Sequence, residues 1–236
     1  MSLKRRERHF LPFTVKLVES RRDFADAISL RAEAYRRHRA PAFDQVRNGE
    51  EDDGRDDVVL LVARSKLDDG VVGTLRINPN FYRPMHLESV IEVPAPYNRS
   101  RCVEFMRLGV RNGSGGQLVS SALAKAGYEI CVAMGVDYIF LCSRSPVDLL
   151  YRSYRFDDLL GGRKLDLHYA PGAPHSVLCL PVVEAAGRWR LYSDSVYRFF
   201  MQTDHPDIQI DYQVLNARFR ELDLAEMATV SVSIKT

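Results

Sequence analysis

No run of about 18 consecutive apolar residues occurs in the chain, so no membrane-spanning helix is expected. Cysteine is scarce and scattered. Cys102, Cys131, Cys142 and Cys179 form no Cys-x-x-Cys pair, and each sits in an apolar segment. That excludes a disulfide framework and a zinc ribbon. It points to buried free thiols in a reducing, cytoplasmic compartment. The six histidines show no ligand spacing, so no metal site is expected. An excess of one charge is also missing: 33 basic and 31 acidic residues leave +2, too little for bulk attraction to nucleic acid. Lys4, Arg5, Arg6 and Arg8 are followed by no apolar segment, which argues against a secretory signal. Internal repeats and low-complexity stretches are absent.

What remains is the composition of an ordinary globular protein. At 236 residues the chain is long enough for one sizeable core. A single domain over 13–227 is expected, preceded by a basic tail over 1–12.

The most informative stretch runs from Arg101 to Phe156. Cys102–Val110 reads as a strand, and Arg111-Asn112-Gly113-Ser114-Gly115-Gly116 as a glycine-rich loop. An apolar-periodic helix follows to Met134, then a strand over 137–142 and a short helix from Pro146 to Tyr154. A glycine loop opening a helix leaves backbone N–H groups free to face an anion, and the helix dipole adds to that. Glu104 and Arg107 put charge inside an otherwise apolar strand, which is costly without a partner or a task.

Upstream, 13–18 alternates as a strand. Ser20 caps a helix from Arg21 to about His38, with Asp23 in its first turn. Arg31 and Tyr35 share a face of that helix; on spacing alone, Arg31 reads as a snorkelling surface residue. Pro41 is expected to end the helix. The acidic segment 42–57 reads as a loop, either a solvated charge run or a lid. Asp44 stands apart from the run. Residues 58–63 and 71–77 form a strand pair around Asp68-Asp69-Gly70, with Arg76 readable as a residue of its wet face. The proline-rich 78–100 leaves few regular elements, and its aromatics either wall a pocket or pack a loop. Downstream come an alternating strand over 164–169, a strand over 175–180, a helix from Trp189 to Met201 and a last helix from Asp211 to Met227. The sum is an α/β (α+β) fold, a mixed and mostly antiparallel sheet with helices on both faces.

Two motifs give this order a familiar look. The loop 111–116 is similar to the Arg/Gln-x-x-Gly-x-Gly/Ala loop of the GNAT acyltransferases, with Ser114 where the first family glycine belongs. Leu150-Tyr151-Arg152-Ser153-Tyr154-Arg155-Phe156 resembles their Leu-Tyr-x-x-x-Gly-Phe, with Arg155 replacing the glycine. A narrower resemblance is to the N-acyl amino acid synthases and the acyl-homoserine-lactone (autoinducer) synthases. It rests on Arg31 and Tyr35, Asp44, Val72-Gly73-Thr74-Leu75-Arg76, and Glu104-Phe105-Met106-Arg107, and covers roughly residues 20–156. The lactone synthases usually carry a tryptophan after the first helix; this chain has only Trp189, which favours the amino acid synthases.

The resemblance implies a GNAT-like fold and an N-acyltransferase. Its donor is an acyl thioester, on an acyl carrier protein or CoA, and its acceptor the amine of an amino acid or similar small molecule. No permanently bound cofactor is implied. Glu104 takes the position of the base and Tyr151 that of the proton donor to the leaving thiolate. Arg31, Tyr35, Asp44, Arg76 and Arg107 fall on substrate-binding positions. Leu108, Val110, Arg111, Gly113, Gly115 and Gly116 fall on those that hold the donor's pantetheine and phosphates. Arg36, Arg37, Arg39, Arg111, Arg152 and Arg155 are candidate docking residues for an acidic carrier, each equally readable as solvated surface. An acetyl-CoA-dependent N-acetyltransferase, an autoinducer synthase and an inactive binding module of the same fold stand beside this reading. A buried ion-pair cluster that only holds the sheet together stands beside the site assignment.

Overall fold

A computed structural model describes residues 6–38, 40–113 and 115–233. Ser114 and Arg39 lie outside the described residues. The strands are β1 (Glu7–Arg8), β2 (Phe13–Leu17), β3 (Val59–Ser65), β4 (Val71–Pro79), β5 (Cys102–Val110), β6 (Tyr138–Ser143), β7 (Asp157–Asp158), β8 (Ser176–Pro181), β9 (Thr203–Asp204) and β10 (Ile208–Gln209). The helices are α1 (Arg21–His38), α2 (Ala40–Val46), α3 (Gly116–Ala133), α4 (Val147–Ser153), α5 (Val182–Tyr192), α6 (Asp194–Tyr197) and α7 (Tyr212–Ser233). Eight strands form one sheet in the order β10-β2-β3-β4-β5-β6-β8-β7. Its pairs are antiparallel except β10 with β2 and β5 with β6.

Alternation along β3 explains why the sheet is covered twice. Val59, Leu61 and Ala63 join the main core under α3, whereas Leu60 and Val62 face Ala27 and Leu30 of α1. Both faces are dry, so the strand reads as a continuous apolar run. Helix α3 buries Val119, Ala122, Leu123, Ala126 and Ile130, a single stripe at helical spacing. Ser20 caps α1 as expected, its Oγ accepting the Asp23 N–H at 3.0 Å.

Several elements differ from the sequence reading. Pro41 does not end the helical region: it lies in the first turn of α2, where its missing N–H costs nothing. Part of the acidic segment is ordered, with a 3-10 turn over Glu51–Gly54. The alternating 164–169 segment makes only one isolated bridge, Leu165 with His175. The expected helix from Trp189 begins earlier, at Val182, and breaks into α5, α6 and a π-turn over Arg198–Gln202. Residues expected as a tail are tied down: β1 pairs with β9, and Leu11 is buried with its N–H on Asp207 at 2.7 Å.

Gly73 sets the spacing of α3 on β4. A Cβ there would come within 2.4 Å of Val119 Cγ1 and 2.9 Å of Leu123 Cδ1. Gly73→Ala therefore overpacks this contact and is expected to destabilise the fold by about 1–3 kcal/mol, read as a lower urea midpoint at unchanged m-value.

Candidate active site

The sheet's central feature is a parallel pair that separates. Strands β5 and β6 are in register from Cys102–Tyr138 to Phe105–Leu141, and no further. Beyond that point β5 stays on β4, with Met106 on Arg76 and Gly109 on Thr74, while β6 stays on β8. The cause is local. Between the pairs Thr74–Gly109 and Arg76–Met106, Arg107 and Leu108 together oppose Leu75, a β-bulge. Arg107 carries it at φ +55°, a left-handed conformation costly for a residue with a Cβ. The extra residue also reverses the alternation. Val103 and Phe105 point into the α3 core, and after the bulge Leu108 and Val110 do so instead of the odd positions.

The gap is a cavity of about 790 Å³. Glu104, Arg107, Leu108, Val110 and Tyr151 line it, with Tyr35 from α1 and Gln117 and Ser120 from the start of α3. Glu104 is 0% exposed. Its Oε2 accepts the Leu87 N–H at 3.1 Å, and its Oε1 accepts the Tyr169 hydroxyl at 3.2 Å. Burial pushes its carboxyl above the usual carboxylate range. The Leu87 N–H, His86, Tyr169 and Arg76 offset only part of that shift. No ion pair to Glu104 appears among the described residues. Tyr151 packs edge-on against Phe156 and Tyr154, and its hydroxyl is raised well above the ordinary phenol range by burial.

The three arginines are held by carboxylates of the acidic segment. Arg31, 0% exposed, donates from Nη1 to both Asp53 oxygens at 2.8 and 2.7 Å. Arg76 reaches Asp53 and Glu50, each at 3.1 Å, and Asp52 at 3.4 Å. Arg107 grips Glu50 through Nε at 2.6 Å and Nη2 at 2.5 Å, and donates to the Tyr169 carbonyl at 2.8 Å. Asp53 sits below the usual range: burial raises it, but the Arg31 and Arg76 charges, with the hydrogen bonds from Arg31 and the Glu50 N–H, outweigh that. Asp44 is not part of this cluster. Its side chain is 75% exposed on α2 beside Arg47, because the helix that replaces the expected loop turns it to solvent.

The glycine loop lies between the lining residues Val110 and Gln117, and Arg111, Gly113, Gly115 and Gly116 do not themselves line the cavity; Gly115 caps α3 at φ +96° and Gly113 stands at φ +137°, with open space where a Cβ would be at each. The loop thus brings bare backbone to the first turn of α3, which starts at Gly116. Arg111 is tied to the Val71 carbonyl at 2.9 and 3.1 Å and to Asp68 at 2.8 Å. The other docking candidates are also engaged: Arg37 with Glu33 and the Val110 carbonyl, Arg152 with Asp158, Arg155 with the Tyr192 carbonyl. Arg36 is exposed.

Glu50, Asp53 and Tyr169 escaped the sequence reading. Glu50 and Asp53 are hidden in a uniformly acidic run, and Tyr169 sits in a segment that reads as a strand. The only signal for the acids was the number of buried cations needing partners.

This architecture, a bulged central strand parting from a parallel neighbour in a mixed, mostly antiparallel sheet, is a GNAT-like fold. The N-acyl amino acid synthase FeeM, from uncultured soil microbes, superposes with a TM-score of 0.57 at 12% identity, over 74% of this chain and 93% of that one. A CoA-dependent acyl-homoserine lactone synthase, BjaI, gives 0.56 at 18% identity, over 84% and 93%. An aminoglycoside 6'-acetyltransferase type Ii gives 0.50 at 12% identity, over 71% and 96%. No protein-family model and no curated protein matches the sequence. Among the described residues no helix is long and apolar enough to cross a membrane, and no group of His, Cys, Asp and Glu is arranged to hold a metal ion.

Removing one acid from the arginine cluster leaves buried positive charge uncompensated. Asp53→Asn is expected to cost about 3–5 kcal/mol. In the native protein the depressed Asp53 contributes stability that is complete above its unfolded pKa of about 3.9 and is lost as the pH falls through the lower folded value. Chemical denaturation from pH 7 downward should therefore show the wild-type advantage over Asp53→Asn shrinking below about pH 4.

Proposed function

We propose that the protein transfers an acyl group, longer than acetyl, from a pantetheine thioester to the primary amine of a small acceptor such as an amino acid. The donor is an acyl carrier protein or acyl-CoA. The observation that carries this is the separation of β5 from β6 after Phe105, the residue that follows Glu104, with a cavity in the size range of drug-sized ligands.

The pantetheine arm lies along the unpaired edge of β5, against Leu108 and Val110. The phosphates reach the α3 N-terminus at Gly113, Gly115 and Gly116, where free N–H groups and the helix dipole favour an anion. Arg111 shapes this rim through Val71 and Asp68. The acyl chain fills the apolar side of the cavity, past Leu141, Leu149 and Leu150.

An ammonium is not a nucleophile, so the acceptor must lose a proton. Glu104, with its raised pKa, is a better base than an ordinary carboxylate. The amine then attacks the thioester carbonyl. The Leu108 N–H, at the bulge, donates to the negative oxygen, and such a donor contributes about 10²–10³ in rate. As the intermediate collapses, the C–S bond breaks, Tyr151 gives its proton to the thiolate, and the phenolate so formed takes up the second proton that the nitrogen must lose to become an amide; burial favours the neutral phenol and so drives that return. Arg31, Arg76 and Arg107 act through Glu50 and Asp53: they fix the bulge and the wall facing Tyr35 rather than touching the donor.

The test is acyl transfer from C8–C16 acyl carrier protein and acyl-CoA to a panel of primary amines. Glu104→Gln is expected to lower kcat at least about 10²-fold and to abolish an ascending limb in kcat that lies above the usual carboxylate range. Tyr151→Phe is expected to lower kcat while leaving donor KM nearly unchanged. Equal wild-type and Glu104→Gln rates would remove Glu104 from the reaction. No transfer to any amine would overturn the function.

A further inference from the structure

The charge balance around Glu104 discriminates between kinds of acceptor. Around Glu104 the cavity is lined by Met106, Leu167, Tyr169 and Ala170, a buried apolar cluster, with His175 and Ser143 as the buried polar residues of the same lining. The cations nearest to it are already matched. Arg31, Arg76 and Arg107 bring three positive charges, and Glu50, Asp52 and Asp53 bring three negative ones, all within ion-pair distance. Arg55 joins Asp52 to Asp57 and adds one charge of each sign, and the His86 ring stands against Asp52 at the edge of the cluster. Arg107, the member that lines the cavity, is gripped by both Glu50 oxygens and also donates to the Tyr169 carbonyl. Arg144, the other lining arginine, lies on the turn from β6 into α4, beside Pro146 and Val147.

An α-amino acid carries its carboxylate two bonds from the nitrogen that must meet Glu104. In this site that carboxylate would lie against apolar side chains and a neutral ion-pair wall, where an unmatched charge is costly. It would also lie within a few ångströms of Glu104 in its reactive, ionised form, and like charges at that range repel strongly. A neutral body on the amine meets neither penalty. It gains instead from the rings of Tyr35 and Tyr169 and from Met106, which makes favourable contacts with aromatic groups.

From this we infer that the acceptor is a primary amine without a carboxylate, with an aromatic or aliphatic body: an aryl-alkyl amine rather than a free amino acid. The inference rests on the acyl-transfer reading and narrows its substrate class.

Matched acceptors test it. The wild-type enzyme, with one long-chain acyl thioester, is assayed on phenethylamine, phenylalanine and phenylalanine amide, and on tyramine and tyrosine. The expected result is kcat/KM at least tenfold higher for each amine than for its amino acid, with the amide on the amine's side. A second measurement uses Glu50→Gln, which removes the grip on Arg107 and leaves that cation available. Its expected effect is to shift the phenethylamine-to-phenylalanine ratio toward phenylalanine by about tenfold, with circular dichroism confirming the fold. Should that variant unfold, the wild-type ratio alone decides. Phenylalanine or tyrosine used as well as or better than its amine would overturn the inference, and loss of that preference in Arg144→Ala would show which cation had been overlooked. A ratio unmoved in folded Glu50→Gln would overturn the charge-balance argument. Transfer to none of these compounds would overturn the acyl-transfer reading and the inference with it, a result distinct from transfer that prefers the acid.

Discussion

A single extra residue in β5 governs this molecule. Without it, β5 and β6 would pair along their whole length and the sheet would close. With it, the β5–β6 ladder stops after Phe105, while β5 keeps its pairing with β4 and β6 its pairing with β8. The conformation is unfavourable for Arg107, and its guanidinium is what holds it: two bonds to Glu50 and one to the Tyr169 carbonyl fix the side chain that the strained backbone presents. Strain, cavity and ion-pair cluster are therefore one construction. Glu104 is placed at its apex because it is among the last residues of the shared register.

The arginine cluster has a double character. Taken alone it is a buried network of the sort that often only holds elements together, and such networks do little for net stability. Here it joins α1 through Arg31, β4 through Arg76 and β5 through Arg107 to one acidic turn. Asp52 of that turn meets His86, which leads on to Leu87, whose N–H meets Glu104. Its rigidity thus reaches the buried carboxylate through a short chain of contacts, without any arginine touching Glu104.

Much of this was legible in the sequence, for identifiable reasons. Strands β3 and β4, the central strand with its two charges, and helices α1 and α3 declared themselves through unbroken apolar runs, a cap at Ser20 and a turn at Asp68-Asp69-Gly70. The acidic segment did not, because a buried anion and a solvated one are the same letters: Asp44 attracted attention by standing apart, while Glu50 and Asp53, lost in a run, make the contacts. Tyr169 was hidden by an alternation that never becomes a strand. The helix expected from Trp189 was misplaced because α5 starts directly from β8 at Val182, with no turn residue to announce it, and because the π-turn has no sequence mark, whereas the last helix begins at Tyr212, one residue from where it was expected.

The account's central claim is that a thioester enters between the two parted strands. The direct measurement is a crystal structure with a non-hydrolysable long-chain acyl-pantetheine analogue. The account predicts the acyl carbonyl between β5 and β6, its oxygen on the Leu108 N–H, Glu104 across from its carbon and Tyr151 beside its sulfur. An analogue seated elsewhere, with the two strands' gap filled by the protein's own side chains, would contradict it.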